Sequence, residues 1–239
     1  MQHIYKYFIS SCLLIFGIVG FSQEKPKDSI TLDSISYKTN YGLRLGIDIS
    51  KPILAQLSGS YSGIEIVADY RINKRFYAAA ELGYEEETSE EDFTNSTSKG
   101  SYIRLGFNFN AYENWLDMNN EIFVGYRYGF ALFDQTLNSY TPNTTDFNNS
   151  QYFPANPINV PQASSGLTAH WSEFVVGLKA ETFKNFFVGF SISYKIMMSN
   201  QEPINFKTLY APGFNRVFES STGFGFNYTI SYLIPFKKK

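Results

Sequence analysis

The sequence predicts an all-β fold: a transmembrane, antiparallel, up-and-down β-barrel of about eight strands that follows a cleaved signal peptide. Between Gly42 and Phe236, stretches of about ten residues alternate large apolar residues with small or charged ones, and polar breaks separate the stretches. Short and long polar connections alternate along the chain. Aromatic residues make up 18% of the chain, with 18 Tyr and 23 Phe, which suits a surface that meets both acyl chains and lipid headgroups.

The clearest example of the alternation lies at residues 102–111. Ile103, Leu105 and Phe107 fall on one face of a strand there, whereas Arg104 falls on the other, because successive side chains of a strand point to opposite faces. One face suits lipid and the other does not. The pattern therefore predicts a strand that crosses a membrane.

An apolar run near the N-terminus predicts a signal peptide. Lys6 precedes the apolar residues 8–19, and the small residues of 20–22 follow before Gln23. This order predicts a secretory signal over residues 1–22. An uncleaved helical anchor is the alternative, but the run is shorter than the roughly 20 residues that a bilayer span needs.

Cleavage would remove Cys12, the only cysteine, so no disulfide is expected in the mature protein. The residues before Cys12 loosely resemble a lipoprotein cleavage motif, although they precede the apolar core. Residues 23–40 are polar and without periodicity, which predicts a flexible periplasmic tail before a barrel at 41–239. Two triplets of the tail, around Ser29 and Ser34, resemble the Asp-Ser/Thr-aliphatic acceptor motif for O-glycosylation in Bacteroidota.

The strands are expected in order along the rest of the chain. The predicted ranges are 41–51, 61–72, 75–85, 101–112, 120–133, 169–183, 186–198 and 221–236. Short turns are expected at 73–74, 113–119 and 184–185, and long polar loops at 86–100, 134–168 and 199–220, with 52–60 as a short outer loop. Short turns that alternate with long loops are typical of a barrel whose turns face the periplasm.

A soluble barrel with an apolar interior is the alternative to a membrane barrel. The volume of the apolar residues argues against it. Large rings such as Tyr126, Phe130, Phe190 and Phe226 recur on the apolar face, and a barrel of about eight strands has an interior that ordinary side chains already fill. The apolar face is therefore expected to face outward.

The charged residues of the opposite face are expected inside the barrel. They are Arg44, Asp48, Glu65, Asp69, Arg71, Glu81, Arg104, Arg127, Glu173, Lys179, Glu181 and Lys195. Both signs occur at similar frequency, and buried charges need partners, so a mutually paired network that closes the lumen is predicted. A gated channel or a proton path is the alternative.

A weak catalytic constellation occurs near the predicted sixth strand. His170 and Ser172 share a face, and Glu202 follows on the next loop. The His-x-Ser spacing is similar to that of outer-membrane lipid A deacylases, and the chemistry would use His170 as base, Ser172 as nucleophile and Glu202 to orient the imidazole. The alternative is that Trp171 and its polar neighbours belong to the interfacial aromatic belt.

The acidic residues 85–92 are the candidate for a divalent cation, because hard cations prefer clustered carboxylates. The spacing of a dedicated calcium loop is absent, so a solvated acidic loop that contacts lipopolysaccharide phosphates through loosely held ions is favoured, and no metal site is predicted. No cofactor is expected either.

Two long loops are expected to carry binding. The segment 134–168 contains four prolines among Asn, Thr and Ser, and long loops on a rigid scaffold are the usual place for recognition. The segment 199–220 is rich in aromatic residues. Its candidates for contact with a protein partner are Phe206, Tyr210, Phe214 and Phe218. The alternative is that these loops only pack together.

Several short stretches resemble a family of Bacteroidota outer-membrane β-barrels of unknown function. They lie at 44–48, 69–71, 80–84, 100–102, 110–115, 169–171 and 212–215. The C-terminal stretch from Gly223 to Phe236 likewise resembles the strand by which outer-membrane barrels are recognised for insertion. The resemblance implies fold and location in the cell outer membrane, and it implies no catalytic role.

The functional expectation is therefore a non-enzymatic outer-membrane barrel. It would act through its outer loops or as a subunit of an envelope complex for assembly, transport or adhesion. Its expected partners are outer-membrane lipid, lipopolysaccharide and a protein of that complex. Nucleic acid is not expected, because 20 basic residues nearly balance 22 acidic ones. A lipid A-modifying hydrolase and a small pore are the alternatives.

Overall fold

The structure is a computed structural model that describes residues 40–113, 119–142, 156–159, 161–204 and 206–238. The predicted signal peptide and the predicted tail up to residue 39, with Ser29 and Ser34, lie outside the described residues. Among the described residues, no helix has the length and apolar character needed to cross a membrane.

Eight long strands close into a barrel, as predicted. The elements are β1 (Asn40–Asp48), α1 (Ser50–Ser58), β2 (Tyr61–Arg71), β3 (Phe76–Glu91), β4 (Thr94–Asn110), β5 (Glu121–Tyr140), β6 (Gln162–Phe183), β7 (Phe186–Asn200), β8 (Tyr210–Ala211), β9 (Asn215–Arg216) and β10 (Thr222–Lys238). Each long strand pairs antiparallel with its sequence neighbours, and β1 pairs with β10 to close the ring. The up-and-down order needs no crossover, and closure leaves no strand edge along the part where β1 and β10 pair.

The two faces of the wall differ as the alternation predicts. On β5, the exposed fractions of Ile122 and Val124 are both 53%, whereas that of Phe123 between them is 3%. The inner face buries charged residues, among them Arg44 and Arg104. The arrangement is the reverse of that in a soluble barrel with an apolar interior, because most of the large apolar side chains of these strands lie outside.

Two loops are shorter in the structure than predicted. Residues 86–100 are not a loop, because β3 and β4 stay in unbroken register up to Glu91 and Thr94 and turn at residues 92–93. Thr and Ser extend this hairpin: the hydroxyls of Thr88 and Thr97 hydrogen-bond across it at 3.0 Å. In the same way β5 continues to Tyr140 and β6 begins at Gln162, so the loop predicted at 134–168 is shorter.

Strand β1 is shorter than predicted, and a helix follows it. The Asp48 side chain accepts a hydrogen bond from the Ser50 N–H at 2.9 Å, and the chain then turns into α1. Gly59 ends the helix at φ 64°, a left-handed conformation that glycine adopts without steric cost. The expected short loop at 52–60 is therefore mostly helical. Because β1 ends early, it pairs only with residues 229–238 of β10 and residues 66–70 of β2.

Candidate functional site

Arg44 organises the charged side chains at the end of the lumen nearer the termini. Its guanidinium lies 2.8 Å from the carboxylate of Asp69 and 2.7 Å from that of Glu121. Lys179 reaches the other oxygen of Asp69. The guanidinium also lies 4.6 Å from the ring centre of Phe187, a cation–π distance. One arginine thus joins four strands of the wall.

Arg104 does the same in the middle of the lumen. It is surrounded by three carboxylates: Nη2 lies 2.6 Å from Glu65, Nε lies 2.8 Å from Glu81, and Nη1 lies 3.1 Å from Glu173. Arg127 shares Glu81 at 3.1 Å. Arg104, Glu65 and Glu173 are almost completely buried, so these charges depend on one another for compensation.

The other residues predicted for the lumen have these contacts. Asp48 accepts from the Asn227 amide at 2.7 Å, Arg71 donates to the carbonyl oxygens of the 73–74 turn, and Lys195 donates to the Gly213 carbonyl at 2.7 Å. Glu181 accepts from the Asn185 N–H at 2.8 Å at the short turn after β6. Glu181 therefore caps a turn, and it has no ion pair with a cation of the described residues.

Among the residues that the structure describes, three further charged ones are buried in the interior: Lys51, Glu85 and Glu121. Glu121 has the same parity as Arg127, and Glu85 has the same parity as Glu81, so the alternation contained the signal for both. Lys51 lay in the predicted strand 41–51 with the outward parity, and it reaches the interior because it lies on α1 instead.

A short hairpin closes the end of the lumen that lies opposite Asn40 and Lys238. We call this end the outer end. We call residues 210–216, which contain β8 and β9, the plug hairpin. Ala211 and Phe214 at its tip have no exposed surface. Phe214 lies against Trp171 of β6, with ring centres 6.0 Å apart, in an apolar cluster inside the barrel. Gly213 has φ 78° and lies against the ring of Tyr102, where a Cβ atom would be 2.5 Å from the ring.

Glu85 is one of the side chains that hold the plug hairpin by polar contacts, together with Lys195. Its Oε2 accepts hydrogen bonds from the Tyr210 hydroxyl at 2.7 Å and from the Gly213 N–H at 2.8 Å. Its Oε1 lies 2.6 Å from the ammonium of Lys51 on α1. A single buried carboxylate therefore connects β3, α1 and the plug hairpin.

The protonation states of Tyr210 and Lys51 follow from their contacts with Glu85. Burial and the neighbouring Glu85 carboxylate raise the pKa of Tyr210 well above its usual value, so that its hydroxyl stays a donor. Burial lowers the pKa of Lys51, but the carboxylates of Glu85 and Glu65 outweigh burial, and the pKa is raised. Lys51 therefore stays a cation.

The aromatic residues predicted to contact a partner fall into two groups. Tyr210 and Phe214 are buried in the plug hairpin, so the structure differs from the expected exposed surface at both positions. Phe206 is half-buried, and Phe218 is 52% exposed. The cause is tertiary: the loop turns into the barrel, where Trp171 and Glu85 provide apolar and polar contacts.

The structure also differs from the expected position of Trp171. It was expected in the interfacial belt but has no exposed surface, and its Nε1 lies 3.3 Å from Glu173 inside the lumen. The space for its ring comes from Gly129, its register partner on β5. A Cβ atom at Gly129 would lie 2.1 Å from the indole.

His170 and Ser172 point away from the lumen, on the outer face of β6. The imidazole Nδ1 contacts the Tyr128 hydroxyl at 2.9 Å, and the Ser172 hydroxyl contacts that of Tyr126 at 2.9 Å. Glu202 is exposed, and within the described part of the chain it forms neither a hydrogen bond nor an ion pair with His170. The three side chains are therefore not assembled as a base, a nucleophile and an orienting acid.

The acidic segment at 85–92 is mostly strand β3, so its side chains alternate between the two faces. Glu85 points into the lumen, whereas Glu86 lies opposite Lys99 on β4. In the part of the chain that the structure describes, no group of three or more His, Cys, Asp or Glu side chains is placed to hold a metal ion.

Comparison with known proteins gives a family and distant structural likenesses, among them the two described here. The family described as "Domain of unknown function (DUF6048)" matches residues 4–239. No curated protein matches the chain. Ail, the attachment invasion locus protein of Yersinia pestis, is 8% identical with a TM-score of 0.41, and the match covers 82% of this chain and 98% of Ail. Acinetobacter baumannii CarO2 is 11% identical with a TM-score of 0.36, over 82% and 99% of the two chains.

Proposed function

This chain belongs to the DUF6048 family, and from its own geometry we propose that it is a non-enzymatic outer-membrane β-barrel with a closed lumen that acts through its outer end, as a subunit of an envelope complex. The observation that carries the proposal is the filled interior. Arg104 is shared by three carboxylates, and the plug hairpin covers the outer end above it. A closed interior supports a role on the surface over conduction.

The membrane location is supported by the outer face of the wall. Large apolar side chains such as Ile66, Leu82, Leu105 and Phe174 are about half exposed on it, and such a belt is stable in hydrocarbon rather than in water. Outer-membrane lipid and lipopolysaccharide would be its surroundings. A Bacteroidota origin remains part of the proposal and rests on the sequence resemblance alone.

The outer end offers the surface for a protein partner. Phe93 at the tip of the β3–β4 hairpin is 62% exposed, and Ile204 and Phe218 on the following loops are 78% and 52% exposed. These apolar side chains lie beyond the ends of the long strands, where lipid headgroups rather than acyl chains are expected. Exposed apolar residues in such a position are typical of contact sites.

A photo-crosslinking experiment in intact cells tests the partner. A benzophenone amino acid at Phe93 or Phe218 is expected to give a defined crosslinked protein, because both side chains lie at the proposed contact. The same amino acid at Lys184, in a short turn at the opposite end, serves as the matched control. Recovery of the same product from all three positions, or of none from Phe93 and Phe218, would overturn the subunit role.

Two measurements separate the proposal from its alternatives. The purified barrel in a planar bilayer is expected to give no steady single-channel conductance, and a reproducible conductance would favour a pore. Overexpression is expected to leave the lipid A mass spectrum unchanged, because Ser172 and His170 each pair with a tyrosine rather than with each other. A change in acylation that Ser172→Ala abolishes would establish the hydrolase instead.

A further inference from the structure

The barrel wall has an opening in its outer half. β1 pairs with β10 only up to Asp48 and Thr229, and with β2 only up to Ile47 and Ile66. Beyond these pairs, no described strand lies between residues 222–228 of β10 and residues 61–65 of β2. We call this the wall gap.

Helix α1 lies at the wall gap with two different faces. Lys51, Leu54 and Ser58 are three and four residues apart and line a cavity behind the helix. Ile53 and Leu57, also four residues apart, are 53% and 78% exposed on the outside. One face of the helix therefore lines the cavity, and another presents apolar side chains to the outside.

The cavity has a volume of about 640 Å³, within the range of roughly 300–1,000 Å³ that is usual for small-molecule sites. Its walls are Leu54, Tyr61, Tyr210 and the outward residues Phe224 and Phe226 of β10. The two phenylalanines are also part of the apolar outer belt, so the cavity is continuous with the surface that faces lipid.

The rim of the cavity is acidic. Glu87, Glu90 and Glu91 line it together with Lys51 and Arg216. Lys51 is paired with Glu85, and Arg216 with Glu91, so no cation among the described residues pairs with Glu87 or Glu90. Two uncompensated carboxylates attract a cationic group and disfavour an anionic one.

We propose that this cavity binds the hydrocarbon chain of a membrane lipid with an amine-bearing headgroup, which enters sideways through the wall gap beside α1. The chain would lie against Leu54, Tyr61 and Phe226, and the amine would lie at Glu87. The site rests on the proposed membrane location, because the lipid reaches it from the bilayer.

The test uses the full-length barrel in nanodiscs that contain phosphatidylethanolamine with a diazirine in its acyl chain. After illumination, mass spectrometry maps the adducts. Adducts are expected at two sets of residues: the outer belt, represented by Leu82 and Leu105, and the cavity, represented by Tyr61 and Tyr210. Leu54→Trp, which fills the cavity, is expected to abolish the cavity adducts alone. Leu57→Trp on the other face of the same helix is the matched control and should preserve both sets.

Each outcome has a separate meaning. Adducts at the belt without adducts at Tyr61 and Tyr210 would overturn the site and leave the membrane location intact. No adducts at the belt would overturn the membrane location and the site with it. Equal labelling of the cavity by a diazirine phosphatidylglycerol would overturn the preference for an amine, whereas weaker labelling by this anionic lipid would support it.

Discussion

The Tyr210 hydroxyl donates a 2.7 Å hydrogen bond to Glu85, although 125 residues separate them in the chain. The bond joins the plug hairpin to the wall of the barrel at β3. Because Glu85 is also 2.6 Å from Lys51, the same carboxylate couples the plug hairpin to the helix at the wall gap. One side chain therefore contributes both to the hold on the plug hairpin and to the position of α1.

Glu85→Gln is expected to loosen the plug hairpin without opening the lumen. The amide keeps the shape but leaves the buried ammonium of Lys51 without its carboxylate, a loss that costs about 3–5 kcal/mol in comparable ion pairs. Trypsin cleavage after Arg216 should therefore become faster, while bilayers stay silent because the Arg104 cluster remains. Glu86→Gln, one residue further along β3, is the control. Equal cleavage rates in both variants would show that Glu85 does not hold the hairpin.

Arg104→Met is expected to be the most damaging substitution in the lumen. It leaves Glu65, Glu81 and Glu173 without their shared cation, and the free energy of unfolding should fall by at least about 3–5 kcal/mol in a urea titration. Arg75→Met is the control: its ion pair with Glu113 is exposed and should contribute less than about 1 kcal/mol.

A second substitution makes the Arg104 test specific. Adding Glu173→Gln removes one of the stranded carboxylates, so the double variant should lose less free energy than the sum of the two single losses. Strict additivity would indicate that the two charges do not interact across the lumen.

The alternation of the strands predicted most of the charged interior but not the plug hairpin. Arg44, Arg104 and Glu173 could be placed inside because a period of two leaves only two faces. The same rule would have placed Trp171 inside, since it has the parity of Glu173. It was instead expected at the membrane interface, because it is an isolated tryptophan between polar residues. Tyr210 and Phe214 lie in a segment without a period, and their burial depends on contacts with distant residues that no local pattern records.

Phe214→Ala is expected to destabilise the barrel and expose Trp171. Phe214 is completely buried against the indole, and truncating such a side chain costs about 3–5 kcal/mol. In a Trp115→Phe background, Trp171 is the only tryptophan, so its emission maximum should move to longer wavelength. Phe218→Ala, four residues further along, is the control because its ring is about half exposed. An unchanged emission maximum in Phe214→Ala would contradict the packing of the plug hairpin.

Alkaline pH is expected to reduce the stability that the plug-hairpin contacts contribute to the barrel. Tyr210 and Lys51 both have raised pKa values, so each binds its proton more tightly in the folded barrel than in the unfolded chain. Their contribution to the free energy of unfolding is therefore complete below the unfolded pKa values, about 10 for Tyr and 10.4 for Lys, and is lost as the pH rises above them. Deprotonated Tyr210 would also place a negative charge against Glu85.

Urea titrations followed by Trp171 emission in the Trp115→Phe background measure this loss from about pH 8 to pH 11. The free energy of unfolding should be constant up to about pH 10 and then fall. Tyr210→Phe has no hydroxyl at this position to titrate and should lose part of the fall. Tyr228→Phe, on the outer face of β10, should retain all of it. If Tyr210→Phe and Tyr228→Phe titrate alike, the alkaline transition belongs to another group, and the Tyr210 contact with Glu85 does not control the plug hairpin.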